Sequence, residues 1–374
     1  MGPDVSTTKA RESRTQTVFA RARALGFDAI GVADARAPLD RDMDRYDAFL
    51  DAGYDGEMTW LRDHRELRRR VDVDGILEGA RSVVCVAQRY QRSADDEAAD
   101  PDFAKMVARY ARGRDYHNGL RKKLRSLARL LRTLEEGAAA RPLTDDAPIL
   151  ERAWAARAGL GFVGKNGMLI VPGDGSFVLL GEVVTTVELD VGAPMAERCG
   201  SCRACLDACP TGAFPAPFVL DARRCVSYLT IELRSPIDDS LRRGVGEHLF
   251  GCDDCQTVCP FNKGARSALG RGLGRERGVA DRYRPLDRWA TTDLASLLSA
   301  TDDAFRTLTE GSPLHRATRD GLARNAAIVL GNRRDSASLG ALRSAQASHP
   351  SAVVREAAAW AIACITSAAA PSNP

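Results

Sequence analysis

The sequence contains no apolar run that approaches the ~18 residues needed to cross a bilayer. Its first residues, MGPDVSTTKA, also lack the apolar core and the twin arginines of an export signal, so we expect a cytoplasmic protein without a membrane partner. No GxGxxG motif follows a predicted strand, and no P-loop is present. A chemistry based on the common dinucleotide or nucleoside triphosphate sites is therefore not expected.

An excess of charge of one sign is also missing, because 53 basic and 50 acidic residues give a net charge of only +3. The basic residues are nevertheless clustered: residues 109–141 contain ten Arg or Lys and three acids, and residues 263–288 contain eight and three. Such blocks attract polyanions, although solvated helix faces carry similar charge without any partner. Two blocks and a basic C-terminal region together favour a nucleic-acid partner.

Cysteine is abundant, and eight of the ten cysteines lie within residues 199–259. In a chain of 374 residues without an export signal, this crowding indicates metal ligation rather than disulfides. The first four cysteines form a C-x2-C-x2-C-x3-C-P run with the spacing of bacterial ferredoxins. A second run has Leu249 in place of its first cysteine, and Cys225 can supply the missing thiolate. Paired zinc sites are the alternative.

The fourth cysteine of each ferredoxin run ligates the cluster of the other run. We therefore assign one 4Fe-4S cluster to Cys199, Cys202, Cys205 and Cys259, and a second to Cys209, Cys225, Cys252 and Cys255. Two closed clusters leave no iron open to substrate, so we expect them to carry electrons to a reaction elsewhere. Cys85 and Cys364 lie in apolar stretches and are expected to be small buried side chains.

Hydrophobic periodicity predicts the local structure. Residues 1–14 show none and are expected to be frayed. The predicted elements are helices at 18–24 and 149–158, an amphipathic helix from Leu120 with a basic outer face, strands at 28–33 and 82–87, and a β-hairpin around Gly173 to Gly175.

The length suggests two or three domains. We expect an α/β domain over 15–190, a ferredoxin-like domain over 191–265 and a helical domain over 280–370, with a mobile basic linker at 264–278. Alanine-rich segments that begin at Arg324 and Arg355 resemble the second helix of a HEAT-type repeat, and ordinary helix pairs are the alternative.

The best candidate for a catalytic site is LTDDAPILER at 143–152, where two carboxylates precede a predicted helix. Burial and a like-charged neighbour both raise the pKa of a carboxyl group, as a proton donor near neutral pH requires. Asp145 or Asp146 could instead simply cap the helix.

Three stretches then occur in a characteristic order: RYARGRDYH (109–117), DDAPILERAWAARAGLGFVGKN (145–166), and the cysteine segment with CVSYLTIEL (225–233) and CDDCQTVCPFNKG (252–264). In this combination the chain from about Val18 to its end resembles the epoxyqueuosine reductases. The resemblance implies a cobalamin-binding N-terminal domain, two 4Fe-4S clusters, and reduction of epoxyqueuosine to queuosine at the tRNA wobble position. It also implies an external electron donor of the flavodoxin or ferredoxin type, and a monomer.

By the same resemblance, Asp145 corresponds to the proton donor of the family. Asp146 stands where the family usually has a small hydroxyl residue, which leaves an exchange of roles open. His117 is one residue out of register with the cobalt-binding D-x-H-x-x-G pattern, so we expect a packed, hydrogen-bonded histidine. The cobalamin contacts carried over are Arg70, Asn166, Leu169, Ser227, Thr230 and Asp253.

Two other readings would also accommodate the cysteines. A corrinoid and iron-sulfur reductive dehalogenase would share the cofactors, but such enzymes commonly carry an export signal. A non-enzymatic electron-transfer protein with a helical docking domain would leave the large N-terminal domain unexplained.

Overall fold

The computed structural model describes residues 5–145, 147–264 and 283–367. The strands are β1 (Ala29–Asp34), β2 (Ser82–Arg89), β3 (Ala140–Leu143), β4 (Phe162–Val163), β5 (Leu169–Ile170) and β6 (Val178–Thr185). The helices are α1 (Val5–Ala24), α2 (Asp40–Asp51), α3 (Arg65–Arg69), α4 (Ala94–Ala98), α5 (Asp102–Lys105), α6 (Tyr116–Leu131), α7 (Glu151–Arg157), α8 (Ala204–Asp207), α9 (Val226–Ile231), α10 (Asp239–Val245), α11 (Asp254–Thr257), α12 (Pro260–Gly264), α13 (Asp302–Thr309), α14 (Arg319–Arg333), α15 (Leu339–Ser348) and α16 (Ala352–Ser367).

A four-stranded sheet in the order β1-β2-β6-β3 organises the N-terminal part, and all its pairings are antiparallel. The predicted mixture of helices and strands is confirmed, as are the strands now seen as β1 and β2. One face of the sheet packs on α7 around Trp154, and the other packs on α1 and α6 through Val18 and Leu124. The amphipathic helix predicted from Leu120 is α6, which begins four residues earlier at Tyr116.

The predicted hairpin around Gly173 is wrong. Strand β5 pairs with β4, whereas β6 pairs with β2 and β3, and only an isolated bridge joins Val171 to Gly175. The β4–β5 pairing is close because the backbone of Gly161 lies against Ile170: a Cβ atom at Gly161 would be 2.1 Å from the Ile170 carbonyl oxygen.

The predicted fraying of residues 1–14 is also wrong for the described part of that segment, because α1 begins at Val5, and residues 1–4 lie outside the described residues. Polar contacts rather than an apolar stripe hold its first part. Arg11 pairs with Asp190 at 2.7 Å, Arg14 pairs with Glu135, and the Thr15 hydroxyl accepts the Asp190 amide at 2.9 Å.

The C-terminal helices share one apolar core with the cysteine segment. Leu249 and Phe250 belong to the same buried cluster as Leu322 and Ala326 of α14. Helices α14 and α16 approach closely, since a Cβ atom at Gly331 would be 2.7 Å from the Trp360 ring. The helical C-terminus is thus confirmed, and the HEAT-type repeat stays a prediction. The predicted linker falls outside the described residues from position 265 onward.

No helix in the described part of the chain combines the length and apolar character needed to cross a bilayer.

Candidate active site and cluster region

A cleft of about 1690 Å³ lies beside the sheet. Typical sites for drug-sized ligands occupy roughly 300–1,000 Å³, so this cleft has room for a large ligand or for two ligands together. Its walls include the segment after β3, the β4–β5 region, the start of β6 and the residues before α9. Among the residues singled out from the sequence, Asp145 and Leu169 line it.

Asp145 lies in a tight turn between β3 and α7. Its φ of 54° is left-handed, a conformation that costs non-glycine residues free energy and that concentrates at functional sites. The Asp145 amide donates to Oε1 of Glu151 at 2.7 Å. Helix α7 is preceded by Leu150 and has no side-chain cap, so helix capping does not explain Asp145. Asp146 lies outside the described residues.

The carboxylate of Asp145 is held by the first residues of α6. The Tyr116 hydroxyl donates to Oδ2 of Asp145 at 2.8 Å, and Nε2 of His117 lies 3.1 Å from the same oxygen. The other ring nitrogen of His117 lies 2.6 Å from Oδ1 of Asp115, which also caps α6 by accepting the His117 amide. The expectation of a hydrogen-bonded histidine at position 117 is confirmed.

These contacts determine where the proton resides. Hydrogen bonds with Asp115 and Asp145 raise the pKa of His117 to about 9. The hydrogen bond from His117 is the main reason that the pKa of Asp145 is lowered, against the expectation from sequence that burial and a neighbouring acid would raise it. At neutral pH the resting site therefore contains an imidazolium at His117 and a carboxylate at Asp145.

Sequence reasoning missed two further acids behind the Asp145 turn. Glu182 is fully buried in the middle of β6, and neither of its carboxylate oxygens has a hydrogen-bond partner among the described residues. Burial and the nearby charge of Asp145 raise the pKa of Glu151 to about 7, and burial and Glu151 raise the pKa of Glu182 well above its usual value. The one available signal is that Glu182 is a lone acid in the apolar stretch SFVLLGEVVTT.

Two of the predicted cobalamin contacts flank the β4–β5 wall of the cleft. Leu169 lines the cleft itself. Asn166 is buried beneath this wall, where its Oδ1 accepts the Met168 amide at 3.2 Å and its Nδ2 lies 3.4 Å from the Cys255 carbonyl oxygen. Asn166 thus links the cleft wall to the cysteine segment.

The remaining predicted cobalamin contacts are not brought into the cleft lining. Ser227 accepts the Cys252 amide at 3.1 Å, and Thr230 accepts the Gly251 amide at 2.9 Å. Asp253 accepts the Arg109 amide at 2.8 Å, and Arg70 pairs with Asp72 at 2.7 Å.

The eight clustered cysteines are all free thiols and form two groups. Cys205 interacts electrostatically with Cys259 and Cys202, and Cys199 interacts with Cys205. Cys225 interacts with Cys209, and it also influences Cys252 and Cys255. Cys255 also interacts with Cys205 of the first group. The structure thus brings the eight cysteines into one region, and their division into the two foursomes assigned from spacing stays a prediction.

Part of the basic block at 109–141 is structural. Arg109 pairs with Glu97 at 2.8 Å and with Asp253 at 3.3 Å, and the buried Arg112 pairs with Asp100 at 3.3 Å. These two guanidinium groups stabilise the fold and are not displayed to a polyanion.

Aromatic and basic groups instead line the cleft. Trp60 is 43% exposed and Phe218 is 41% exposed, although both are large apolar side chains. The Arg316 guanidinium lies over the Trp60 ring at 5.2 Å and pairs with Glu232 at 2.9 Å. Such a surface can stack unpaired bases and bind phosphate.

Two family models match the chain. The model described as "Epoxyqueuosine reductase QueG, DUF1730" covers residues 70–146, and the model described as "4Fe-4S double cluster binding domain" covers residues 198–262.

Curated relatives match over most of their length. An epoxyqueuosine reductase of Gloeobacter violaceus is 43% identical over 323 residues, which is 85% of this chain and 96% of that protein. An epoxyqueuosine reductase of Escherichia coli K12 is 39% identical over 342 residues, or 91% of this chain and 86% of that protein.

Solved structures of epoxyqueuosine reductases are also similar to this chain. A crystal structure of epoxyqueuosine reductase with an epoxyqueuosine-modified tRNA-Tyr stem loop has a TM-score of 0.81 and 32% identity, covering 94% of this chain and 89% of that one. The Bacillus subtilis epoxyqueuosine reductase, with its aspartate-bearing catalytic loop swung out of the active site, has a TM-score of 0.81 and 31% identity, covering 94% and 90%.

Proposed function

The chain belongs to the epoxyqueuosine reductase family, and on that basis we propose that it reduces epoxyqueuosine to queuosine at the wobble position of tRNA, in the cleft beside Asp145. Its chemistry is that of an oxidoreductase. The alternatives of a reductive dehalogenase and of a non-enzymatic electron carrier are set aside.

The observation that carries this proposal is the Asp115–His117–Asp145 chain of hydrogen bonds, which ends at Asp145 in the cleft wall. Deoxygenation of an epoxide to an alkene consumes two electrons and two protons and releases water. The leaving oxygen needs a proton source, and Asp145 is exposed to the cleft while His117 holds a proton against its carboxylate. We propose that the proton held by His117 passes to Oδ2 of Asp145, and that the Asp145 carboxyl group then delivers a proton to the leaving oxygen.

The iron-sulfur part of the proposal rests on the eight free cysteines. Each foursome supplies the four thiolates that a 4Fe-4S cluster requires. All eight cysteines lie within residues 198–262, which the double-cluster family model matches. The clusters would carry electrons singly toward the cleft. Asn166 forms hydrogen bonds with both Met168 in the cleft wall and Cys255, and so links the two regions directly.

The cleft also fits cobalamin in size and in chemistry. Its volume exceeds that of ordinary small-molecule sites, and its wall combines the apolar Leu169, Val178 and Leu180 with polar groups such as Ser176. When bound, cobalamin would supply the reduced cobalt chemistry that breaks the carbon-oxygen bond. We propose that Leu169 contacts it directly, and that Asn166, Ser227, Thr230, Asp253 and Arg70 bind it or support the backbone that does.

The tRNA part of the proposal is supported by the relative solved with a modified tRNA stem loop. We propose that the wobble base leaves the anticodon stack and enters the cleft, with neighbouring bases on Trp60 and Phe218. Arg316 and Arg234, which both line the cleft, would then meet the phosphates.

The loop that carries Asp145 is proposed to move. A relative has its corresponding catalytic loop outside the active site, and the left-handed Asp145 turn here is held by side-chain contacts from α6 and α7. Movement of the loop would admit the modified base before the proton donor closes on it.

We also propose three domains, at 15–190, 191–265 and 280–370, with HEAT-type packing of the C-terminal helices. The protein is proposed to be a monomer in the cytoplasm and to receive electrons from an external donor of the flavodoxin or ferredoxin type.

The test is a conversion assay with the reconstituted full-length protein under anaerobic conditions, on tRNA that carries epoxyqueuosine. We expect queuosine in the digested tRNA only when cobalamin and a low-potential reductant are both present. Equal conversion without cobalamin would contradict the cofactor, and no conversion by fully loaded protein would contradict the function.

A further inference from the structure

Behind the cleft wall, Glu151 of α7 and Glu182 of β6 are neighbours, and the charge of Glu151 raises the pKa of Glu182. Glu182 is 0% exposed, and none of the described residues donates a hydrogen bond to either of its oxygens. Glu151 begins α7, lines the cleft, and accepts the Asp145 amide through Oε1 at 2.7 Å. The Glu151 side chain thus lies between the buried Glu182 and the backbone of Asp145, the proposed proton donor.

Two carboxyl groups form a hydrogen bond only if one of them is protonated. A pair of charges here would be costly, because β6 packs this side of the sheet against an apolar core that includes Trp154, Ala155 and Leu143. Glu182 is the more deeply buried group and the better place for the proton. A protonated Glu182 donates to Glu151, and an ionised Glu151 is the stronger acceptor for the Asp145 amide.

We propose that Glu151 is a positioning residue for Asp145, and that a protonated Glu182 holds the Glu151 carboxylate in the orientation that fixes the Asp145 turn. The inference rests on the proposed function, because it assigns the pair to the geometry of the proton donor. Glu151 does not reach the substrate in this role; it acts through the backbone of Asp145.

The charged and titratable groups around the pair come from each element packed on it. Asp145 lies in the turn before α7, Arg152 follows Glu151 on α7, Cys85 lies opposite Glu182 on β2, and Tyr116 begins α6. Asp145 opposes ionisation of Glu151, and Arg152 favours it. The shared proton also favours ionisation, because the hydrogen bond from Glu182 stabilises the charged form of Glu151.

A specific pH dependence follows. The pKa of Glu151 is raised to about 7, so its ionised fraction grows as the pH rises through neutrality. Below that pH, a neutral Glu151 holds the turn more weakly. The single-turnover rate should therefore decline on the acidic side of about pH 7, well separated from the loss of the His117 proton near pH 9.

The experiment compares single-turnover rates of the holoenzyme on epoxyqueuosine tRNA between acidic and alkaline pH, at saturating protein. Glu151→Gln keeps a carbonyl acceptor but cannot ionise, so its acidic limb should disappear and its plateau rate should fall roughly 3- to 30-fold. Glu182→Gln mimics the protonated acid and should retain the wild-type profile. Glu182→Leu removes the donor, so its acidic limb should move to higher pH.

Glu247→Gln is the matched control, because Glu247 pairs with Arg333 on the surface and should behave as wild type. Iron content and cobalamin binding equal to wild type identify the folded variants, and if Glu182→Leu does not fold, the two glutamine variants decide the matter. An unchanged acidic limb in Glu151→Gln, or loss of activity in Glu182→Gln, overturns the inference while leaving the function intact. Failure of the wild type to convert the tRNA would instead overturn the proposed function.

Discussion

Nε2 of His117 lies 3.1 Å from Oδ2 of Asp145, while Nδ1 of the same ring lies 2.6 Å from Asp115. A histidine held between two carboxylates keeps its proton to unusually high pH, and the same contact lowers the pKa of the Asp145 carboxyl group. We propose that the acid of this site is therefore a pair, in which His117 holds the proton and Asp145 passes it to the cleft.

Histidine-selective NMR should detect the protonation of the His117 ring directly, since the chain has only five histidines. We expect the His117 ring, identified by its loss in His117→Gln, to titrate near pH 9. Because the folded pKa lies above the unfolded value of about 6.5, the stabilisation is complete below pH 6.5 and is lost as the pH rises toward 9. It amounts to at most about 3 kcal/mol. Titration near 6.5 in the folded protein would contradict the hydrogen-bonded chain.

Cys209→Ser should damage one cluster and spare the other. Cys209 neighbours Cys225, and the substitution removes one thiolate from the foursome that it forms with Cys225, Cys252 and Cys255. Iron analysis and low-temperature electron paramagnetic resonance should show the loss of about one cluster's iron per chain. Cys364→Ser is the control, because Cys364 is a buried thiol of α16. Wild-type iron in Cys209→Ser would contradict the interlocked assignment.

Trp60→Ala should weaken tRNA binding while leaving cobalamin binding unchanged. An exposed ring beside the cleft can stack a base, and alanine replacement of such rings costs about 1–3 kcal/mol, or roughly 5- to 150-fold in affinity. Fluorescence anisotropy with an anticodon stem loop measures this loss. Val191→Ala changes a residue that is 52% exposed outside the cleft lining, and it should bind normally. Equal affinities for both variants would remove Trp60 from the tRNA interface.

Arg324 and Arg355 occupy the same place in the two alanine-rich segments but should differ in their effect on stability. Arg324 is 1% exposed and donates to the carbonyl oxygens of Leu229, Leu233 and Ser235. Arg324→Leu leaves these acceptors unpaired in the core and should lower the free energy of unfolding by about 3–5 kcal/mol. Arg355→Leu, at a partly exposed position, should cost less than about 1 kcal/mol. Similar thermal shifts in the two variants would contradict this division.

The packing of the C-terminal helices against the cysteine segment makes a C-terminal deletion unsuitable as a test of tRNA binding. Leu314, Leu322 and Ala326 belong to the core that also contains Leu249 and Phe250 of the cysteine segment. Removal of everything after Gly311 would open that core, so single surface substitutions are the informative variants.

The double-cluster region could be predicted from the sequence because the spacing of the cysteines within each ferredoxin run is a local signal, and the division into two foursomes stays a prediction. Strands β1 and β2 could be predicted for a similar reason, since each is a short apolar run. The hairpin expectation failed because β6 finds partners in β2 and β3, which are distant in sequence and leave no local signal.

The contacts of the proposed proton-donor site could be found only from the tertiary structure. His117 and Asp145 are 28 residues apart, and Glu151 and Glu182 are 31 residues apart, so neither contact follows from periodicity. The expected direction of the Asp145 pKa shift was wrong, because the hydrogen bond from a histidine of α6 has the largest effect on this carboxyl group. The N-terminal part of α1 was missed because ion pairs rather than an apolar stripe hold it.

The most direct test of the account is the single-turnover rate of Asp145→Asn beside that of Asp146→Asn, with cobalamin, reduced clusters and epoxyqueuosine tRNA all bound. Asparagine preserves the size of the side chain but cannot deliver a proton. We expect Asp145→Asn to lose roughly 100-fold or more in rate with unchanged tRNA and cobalamin affinity, whereas Asp146→Asn stays within a few-fold of wild type. A near-wild-type rate for Asp145→Asn, with Asp146→Asn inactive, would contradict the assignment of the proton donor and place it one residue further along the chain.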